Sequence, residues 1–263
     1  MKVLCIGDVV SRVGRDMLFR YIEDIQYKYS IDFIIANGEN AAHGNGMGQN
    51  EYDELMNAGV DVVTMGNHTW GHFRQISQMM ENGASIVRPL NYSGVVPGEG
   101  ASIFTAKNGK KVGVINLIGR TFMHMPADSP FVMGMNKIEE LRKTTNIIFV
   151  DFHAEATSEK EALGYYFDGL VSAVFGTHTH VQTADDTVLP KGTGYISDLG
   201  MTGPIISVLG IDKDNIIERF VNGTPNKSLV AKGKGQFCAC IFTVDDETGL
   251  CTGTERIYIR EKD

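Results

Sequence analysis

The chain has 263 residues, of which 43% are hydrophobic and 21% are charged, so it can bury one sizeable core and is not a disordered sequence. Its formal net charge of −8 argues against a stable nucleic-acid partner, which requires a basic surface, although bound metal ions would allow a small anionic substrate. No apolar run approaches the roughly 18 residues of a membrane span, and the N-terminus lacks the features of a signal peptide. We therefore expect a cytoplasmic protein with no membrane partner.

Short β-branched runs that end near glycine alternate with segments of helical periodicity along most of the chain. In chain order they are the strand KVLCIGD, the helix GRDMLFRYIEDIQYKY, the strand DFIIANGEN, the helix NEYDELMNAG, the strand DVVTMGNH, a helix after Trp70, the strands KKVGVINLIG and TNIIFVDFHAEA, the helix SEKEALGYYFDG and the strand LVSAVFG. The last segment, GQFCACIFTVDDETGLCTGTERIYIRE, predicts two strands joined by a turn at DDETG. Continuous apolar strands that alternate with helices are typical of sheets buried on both faces. The pattern predicts one α/β domain over residues 1–263.

Polar residues with metal-binding side chains follow five of these strands. They are Asp8, then Asn37, Glu39 and Asn40, then Asn67 and His68, then His153, and finally His178 and His180. In open α/β sheets a ligand site lies at the carboxyl ends of the strands, so these residues should converge. Each one alone has an ordinary structural role, such as capping a turn. Five clusters placed in the same way favour one shared explanation, a metal centre.

The number of donors favours two metal ions over one. Seven side chains, counted without Asn37 and His68, exceed the roughly four ligands of a closed zinc site. Oxygen and nitrogen donors with one bridging carboxylate suit a pair of ions about 3.5–4 Å apart that acts on phosphate esters.

The motifs GDVVSRVGR, NGENAAHGNGMG, GNHTW, DFHAEATSEK and GTHTH resemble those of the calcineurin-like metallophosphoesterases. More closely, they resemble the bacterial YmdB-type branch of cyclic-nucleotide phosphodiesterases, and the resemblance covers essentially the whole chain. It implies an α/β fold in which two mixed β-sheets form a sandwich flanked by helices. It also implies a di-metal centre, of iron in this branch, with manganese as the alternative.

The same resemblance assigns a role to each matching residue. Asp8 and His180 become ligands of the first metal, and Asn67, His153 and His178 become ligands of the second. Glu39 bridges both ions, and His68 is the general acid and does not bind metal. The implied reaction is hydrolysis of a 2′,3′- or 3′,5′-cyclic nucleotide by a hydroxide that bridges the metals.

Val10 and Glu39 depart from the wider superfamily, and Ser11 departs from the YmdB-type branch. Val10 stands where the superfamily has the histidine of an Asp-x-His motif, so the first metal lacks that nitrogen. Glu39, followed by Asn40, replaces the usual bridging aspartate, and we therefore place the side-chain oxygen of Asn40 on the first metal as the substitute. Both features agree with the YmdB-type branch. Ser11 stands where that branch usually has glycine, which would ease a tight turn.

Two other functions fit the same motifs. One is another phosphoester hydrolase, a 5′-nucleotidase or phosphatase, and the other is a regulatory protein that senses a nucleotide with slow turnover. An intact His68 favours catalysis, because binding alone needs no acid. A small phosphodiester or cyclic nucleotide is the expected partner, and a homo-oligomer is left open. The glycine-rich loop around His43 approaches the phosphate or the sugar, or is simply mobile. Arg12 and Arg15 either neutralise phosphate or, as is more common for arginine in a first helical turn, lie at the surface, and we expect the surface position.

Overall fold

The computed structural model describes residues 1–225 and 227–262. In chain order the strands are β1 (Lys2–Ile6), β2 (Asp8–Val9), β3 (Phe33–Asn37), β4 (Val62–Thr64), β5 (Ile86–Val87), β6 (Ala101–Thr105), β7 (Lys111–Ile118), β8 (Ile148–His153), β9 (Ala173–Thr177), β10 (Thr187–Val188), β11 (Gly194–Ile196), β12 (Met201–Pro204), β13 (Gly235–Val244) and β14 (Cys251–Arg260). The α-helices are α1 (Ser11–Tyr29), α2 (Gln49–Asn57), α3 (Phe73–Glu81), α4 (Pro130–Leu141), α5 (Thr157–Tyr166) and α6 (Lys213–Asn222). A short 3₁₀ helix, Thr69–His72, precedes α3. Among the described residues, no helix combines the length and apolarity that crossing a membrane requires.

The strands form two mixed sheets. The first has the order β2-β12-β13-β1-β3-β4-β5, with β14 paired to β13, and its strands β1, β3, β4 and β5 are parallel. The second has the order β10-β11-β9-β8-β7-β6, with β7, β8, β9 and β11 parallel. The predicted hairpin is present, because β13 and β14 pair antiparallel along their whole length.

The two sheets face each other and carry helices on their outer faces. Side chains alternate between the faces of a strand, so in β1 Val3 and Cys5 point between the sheets while Leu4 and Ile6 point towards α1. Phe149 and Phe175 of the second sheet meet Phe242 of the first in the central layer. The outer face of the second sheet is covered by α4 and α5. The predicted fold, two mixed sheets flanked by helices, is confirmed.

Helix α4 has no counterpart in the sequence-based prediction. Pro130 at its first turn is a favourable helix start, but Gly134 interrupts the apolar pattern that would reveal it. The structure explains the glycine, because a β-carbon there would lie 2.6 Å from the ring of Phe167. Gly134 therefore allows the helix to approach that ring closely, and the packing need outweighs helix propensity.

Arg15 was predicted at the surface, and that prediction is wrong. Its side chain is buried, and its guanidinium lies 2.6 Å from Glu54 and also donates to the carbonyl of Ala41. Arg15 thus ties α1 to α2 and to the loop after β3. Arg12 is at the surface as predicted and lies 3.7 Å from Asp16.

Ser11 begins α1 with a φ of 56°, in the left-handed region that favours glycine. Ser11→Gly should therefore leave the free energy of unfolding unchanged or raise it by up to about 1 kcal/mol, because relief of the strain offsets the greater unfolded-state entropy of glycine. Ser11→Ala keeps the strained φ and should show no gain. Urea unfolding of the three proteins measures this. A loss above about 1 kcal/mol in Ser11→Gly would mean that the serine hydroxyl stabilises this turn.

Candidate metal centre

The carboxyl ends of the central strands bring the predicted site residues to one edge of the two sheets. They are Asp8 after β1, Glu39 and Asn40 after β3, Asn67 and His68 after β4, His153 at the end of β8, and His178 and His180 after β9. Several of them line a pocket of about 260 Å³ that opens to solvent. The structure therefore brings all eight predicted residues together.

One group of donors consists of Asp8, Asn40 and His180. The Nε2 atom of His180 lies 3.1 Å from Nδ2 of Asn40 and 3.7 Å from Oδ1 of Asp8. Oδ2 of Asp8 accepts from the backbone N–H of His178, whereas its Oδ1 is buried with no hydrogen-bond partner in the described part of the chain. An unpartnered buried carboxylate oxygen is costly, so this atom fits a cation.

A second group consists of Asn67, His153 and His178. The Nε2 atom of His153 lies 2.9 Å from Oδ1 of Asn67 and 3.1 Å from Nδ1 of His178. His153 is completely buried, and its ring packs edge-on against that of His178. The three donor atoms therefore face one another across a space that suits an ion.

Glu39 lies between the two groups. Its Oε1 is 3.1 Å from Nδ2 of Asn40 in the first group and 3.3 Å from Nε2 of His153 in the second. Glu39, His153 and His178 each offer a ligand atom within 4.8 Å of the others. A carboxylate in this position can contribute to both groups, as a bridging ligand must.

Each of the three predicted ligand histidines makes a second contact through the ring nitrogen that points away from the donor groups. His153 Nδ1 donates to Thr177 Oγ1 over 2.8 Å, His178 Nε2 lies 3.2 Å from Glu155 Oε2, and His180 Nδ1 donates to the carbonyl of Leu209 over 3.0 Å. This leaves the inner nitrogen of every ring directed at the donor groups. Metal-binding histidines almost always have such an outer partner, which fixes the ring and its tautomer.

The backbone at His178 and His180 adopts an uncommon conformation. Their φ angles are 101° and 65°, in a region that residues other than glycine rarely adopt. This backbone strain costs on the order of 1–3 kcal/mol at each residue. It occurs where the chain turns both imidazoles towards the pocket. This accounts for the His-x-His spacing at the end of β9.

Gly66 is needed for the close approach of Glu39 to His153. A β-carbon at this position would overlap Oε2 of the glutamate and Nε2 of the imidazole. The N–H of His68, two residues later, donates to the same Oε2 over 2.9 Å and orients the carboxylate. The turn after β4 thus shapes the site with backbone as well as side chains.

Burial and mutual charge displace the pKa values within the cluster in opposite directions. Burial raises the pKa of Asp8. Burial acts in the same direction on Glu39, but the charges and hydrogen bonds of His153 and His68 hold its pKa well below the usual range. Burial opposes protonation of His153, yet Glu39 raises its pKa to about 9, whereas burial and the charge of His153 lower that of His178 to about 3. The buried carboxylates of Asp8 and Glu39 are thus stabilised by positive charge in this space, and protonated histidines supply only part of it.

His68 lies at the mouth of the pocket with 41% of its side chain exposed. Its Nδ1 is 2.9 Å from Oδ1 of Asn40 and 3.3 Å from Oε1 of Glu39. Among the described residues, no hydrogen-bond partner faces its Nε2. The hydrogen bond to Glu39, partly opposed by burial, raises the pKa of His68, which favours the protonated form that an acid needs.

The amide of Asn40 is oriented differently from the sequence-based expectation that its oxygen faces the first metal. Its Nδ2 faces Glu39 and His180, and its Oδ1 faces His68. Only the oxygen can bind a cation, and a half-turn of the amide exchanges the two atoms.

The sequence did not predict the residues that contact the ligand histidines from outside the donor groups, directly or through Thr177. Asp151 accepts from Thr177 and Thr64 in the buried layer, and burial raises its pKa to about 6. The presence of an aspartate inside the apolar run IIFVDF is a signal that could have identified Asp151. Glu155 lies within the motif DFHAEATSEK, which could have identified it too. The role of the Leu209 carbonyl cannot be predicted from the sequence, because every residue has a backbone carbonyl.

The fold and the donor set together define the class of protein. The chain has two mixed sheets flanked by helices, and carboxylate, amide and imidazole donors lie together at the carboxyl ends of the strands. This combination defines a metallophosphoesterase-like protein.

Comparison with known proteins identifies the family within this class. Residues 4–257 match the model of the YmdB-like protein family. A 2′,3′-cyclic-nucleotide 2′-phosphodiesterase of Bacillus subtilis (strain 168) is 49% identical, with 99% of this chain and 98% of that protein covered. The chain belongs to the YmdB-like family, and the resemblance recognised from its motifs is confirmed.

Two solved structures agree over the whole chain. The crystal structure of a hypothetical protein from Thermus thermophilus has a TM-score of 0.92 at 40% identity and covers 100% of both chains. A crystal structure described as a novel phosphatase from Mycoplasma pneumoniae has a TM-score of 0.93 at 37% identity, covering 100% of this chain and 94% of its own. The Mycoplasma pneumoniae phosphatase and the Bacillus subtilis relative together confirm the prediction of a phosphodiesterase-type enzyme.

Proposed function

We propose that this enzyme hydrolyses cyclic nucleotides, with 2′,3′- or 3′,5′-cyclic phosphates as substrates, on a centre of two metal ions with His68 as the general acid. The observation that carries the proposal is the arrangement of seven donors in two groups of three around Glu39, with His68 beside them. The name of the Bacillus subtilis relative supports the substrate class.

The donors available fit two ions better than one. We assign Asp8, Asn40 and His180 to the first ion, Asn67, His153 and His178 to the second, and Glu39 to both. Sites of oxygen and imidazole donors accept iron or manganese, and we propose iron, with manganese as the alternative. When bound, two such ions lower the pKa of a water and neutralise charge on the phosphoryl oxygens.

The residues of the chain supply orientation and a proton. Protonated His68 carries a hydrogen on both ring nitrogens, and its Nδ1–H faces Oε1 of Glu39, 3.3 Å away, which holds the ring in its protonated form. The other proton lies on Nε2, the nitrogen without a partner among the described residues. From there it can pass to the ribose oxygen that leaves the phosphorus, which would otherwise depart as a poor alkoxide. Opening the ring in this way leaves a phosphomonoester.

A turnover screen tests the proposal. The anaerobically purified protein is assayed with a 2′,3′-cyclic nucleotide, a 3′,5′-cyclic nucleotide, a plain phosphodiester and a 5′-nucleotide. We expect the highest kcat/KM on one of the cyclic classes. Preference for the 5′-nucleotide would assign the site to a nucleotidase or phosphatase, and binding of a cyclic nucleotide without turnover would indicate a sensor.

A further inference from the structure

A second, larger cleft lies beside the proposed site, and neither His68 nor any of the seven proposed ligands lines it. Its volume is about 740 Å³, and His43 and Leu229 are among the residues that line it. Three lysines, Lys213, Lys227 and Lys232, also line this cleft. We refer to it as the lysine cleft.

The lysine cleft is close to the proposed metal ligands along two stretches of chain. His43 is three residues after Asn40, so their Cα atoms are at most about 11 Å apart. The N–H of Gly44 donates to the carbonyl of Asn40 over 3.1 Å, which keeps the loop folded against the ligand. The lysine cleft therefore begins within reach of a substrate bound at the proposed centre.

The second stretch starts at Leu209, which lines the pocket and accepts from His180. From there Ile211 pairs antiparallel with Val230, and the N–H of Asp212 donates to the carbonyl of Leu229 over 2.7 Å. These two short segments form a continuous wall from the pocket into the lysine cleft.

The charge of the lysine cleft is opposite to that of the whole chain. Lys227 and Lys232 form no ion pair with any described residue, and Lys213 pairs only with its exposed neighbour Asp214. Asp212, the one carboxylate among the described residues of the lining, already accepts from two N–H groups at the start of α6. A positive cleft in a chain of net charge −8 is suited to an anion.

We propose that the lysine cleft binds further phosphates of the substrate, so that the preferred substrate is a short single-stranded oligoribonucleotide with a cyclic phosphate at its 3′ end. This inference rests on the proposed function. A 3′,5′-cyclic phosphate occupies the 5′ oxygen and leaves no place for a preceding nucleotide, whereas a 2′,3′-cyclic phosphate leaves that oxygen free. The inference therefore selects the 2′,3′-cyclic class.

The chemistry at the terminal phosphate is unchanged. A water oxygen bonds to phosphorus, one ring P–O bond breaks, and the freed ribose oxygen takes a proton. The lysines would contact the preceding phosphodiesters, and the apolar walls at Ile206 and Leu229 offer surface to a base or a ribose. Such a substrate leaves after turnover, which agrees with the net charge of −8 that argues against a stable nucleic-acid partner.

The test compares two substrates and three proteins. The substrates are a 2′,3′-cyclic mononucleotide and a trinucleotide that ends in the same cyclic nucleotide. The proteins are the wild type, the variant Lys213→Gln/Lys227→Gln/Lys232→Gln, and the control Lys107→Gln/Lys111→Gln/Lys143→Gln, which removes equal charge at the opposite edge of the sheets. We expect the wild type and the control to prefer the trinucleotide by about tenfold or more in kcat/KM, since several weak charge contacts act together. The lysine-cleft variant should lose that preference and keep its rate on the mononucleotide.

Salt dependence gives an independent readout. For the wild type, log KM for the trinucleotide should rise with log salt concentration with a slope of about 0.7 per phosphate contact, and the lysine-cleft variant should lose most of it. Equal kcat/KM of the wild type on both substrates, or an equal loss on both in the variant, would overturn the inference. Absence of turnover on either substrate would instead overturn the proposed function on which the inference rests.

Discussion

His68→Ala should keep both metal ions and slow the hydrolysis of a cyclic nucleotide by roughly 10²–10⁴-fold, the usual contribution of a positioned acid. The structure gives the reason, because His68 contacts Asn40 and Glu39 through Nδ1 and no described residue occupies its Nε2. The loss should shrink with an activated phenolic ester, whose oxygen leaves well without a proton. Steady-state rates on both substrates and metal content per chain are the measurements.

His72→Ala is a matched control, since it removes the same side chain four residues later, at the end of the 3₁₀ helix and outside the pocket. It should leave both rates unchanged. If His68→Ala slowed the two substrates equally, or lost metal, His68 would act as a structural residue or a ligand and the acid role would be wrong.

Glu39→Gln should weaken the binding of both metal ions together. Glu39 is buried between the two donor groups, and a neutral amide keeps the shape of the carboxylate but cannot hold two cations by charge. We expect metal content to fall well below two equivalents per chain and turnover to fall with it. Elemental analysis of the anaerobically purified variant measures this directly.

Glu54→Gln makes the same chemical change at a carboxylate that contacts Arg15 and lies outside the pocket, and it should retain both ions. Loss of one equivalent with the other unaffected would show that Glu39 is a terminal ligand. Gly66→Ala should resemble Glu39→Gln, because its β-carbon displaces both the glutamate and His153.

The placement of the site residues could be predicted because it depends on a short-range pattern. Buried parallel strands read as apolar runs, and the polar residue that follows each run must lie at the carboxyl edge of its sheet. Asp8, His153 and His178 were found in this way. Their roles as ligands and the role of Glu39 as a bridge came from the resemblance to a known family, and they remain predictions.

The rest of the site depends on contacts that a single sequence does not display. The burial of Arg15 requires Glu54 and Ala41 to approach it across the fold, and nothing near Arg15 in the sequence indicates either. The Leu209 carbonyl and the lysine cleft depend on the path of residues 206–225 and 227–232, where α6 buries no side chain and so gives a weak apolar pattern. Sequence predicts elements and strand ends better than it predicts which distant segments meet.

The most direct test of the central claim is to titrate metal into the apo-protein and follow turnover of a cyclic nucleotide against metal bound per chain. The two donor groups around Glu39 predict that two equivalents bind, iron or manganese, and that turnover appears only as the second site fills. Full turnover with one equivalent bound, or with none, would contradict a two-metal centre.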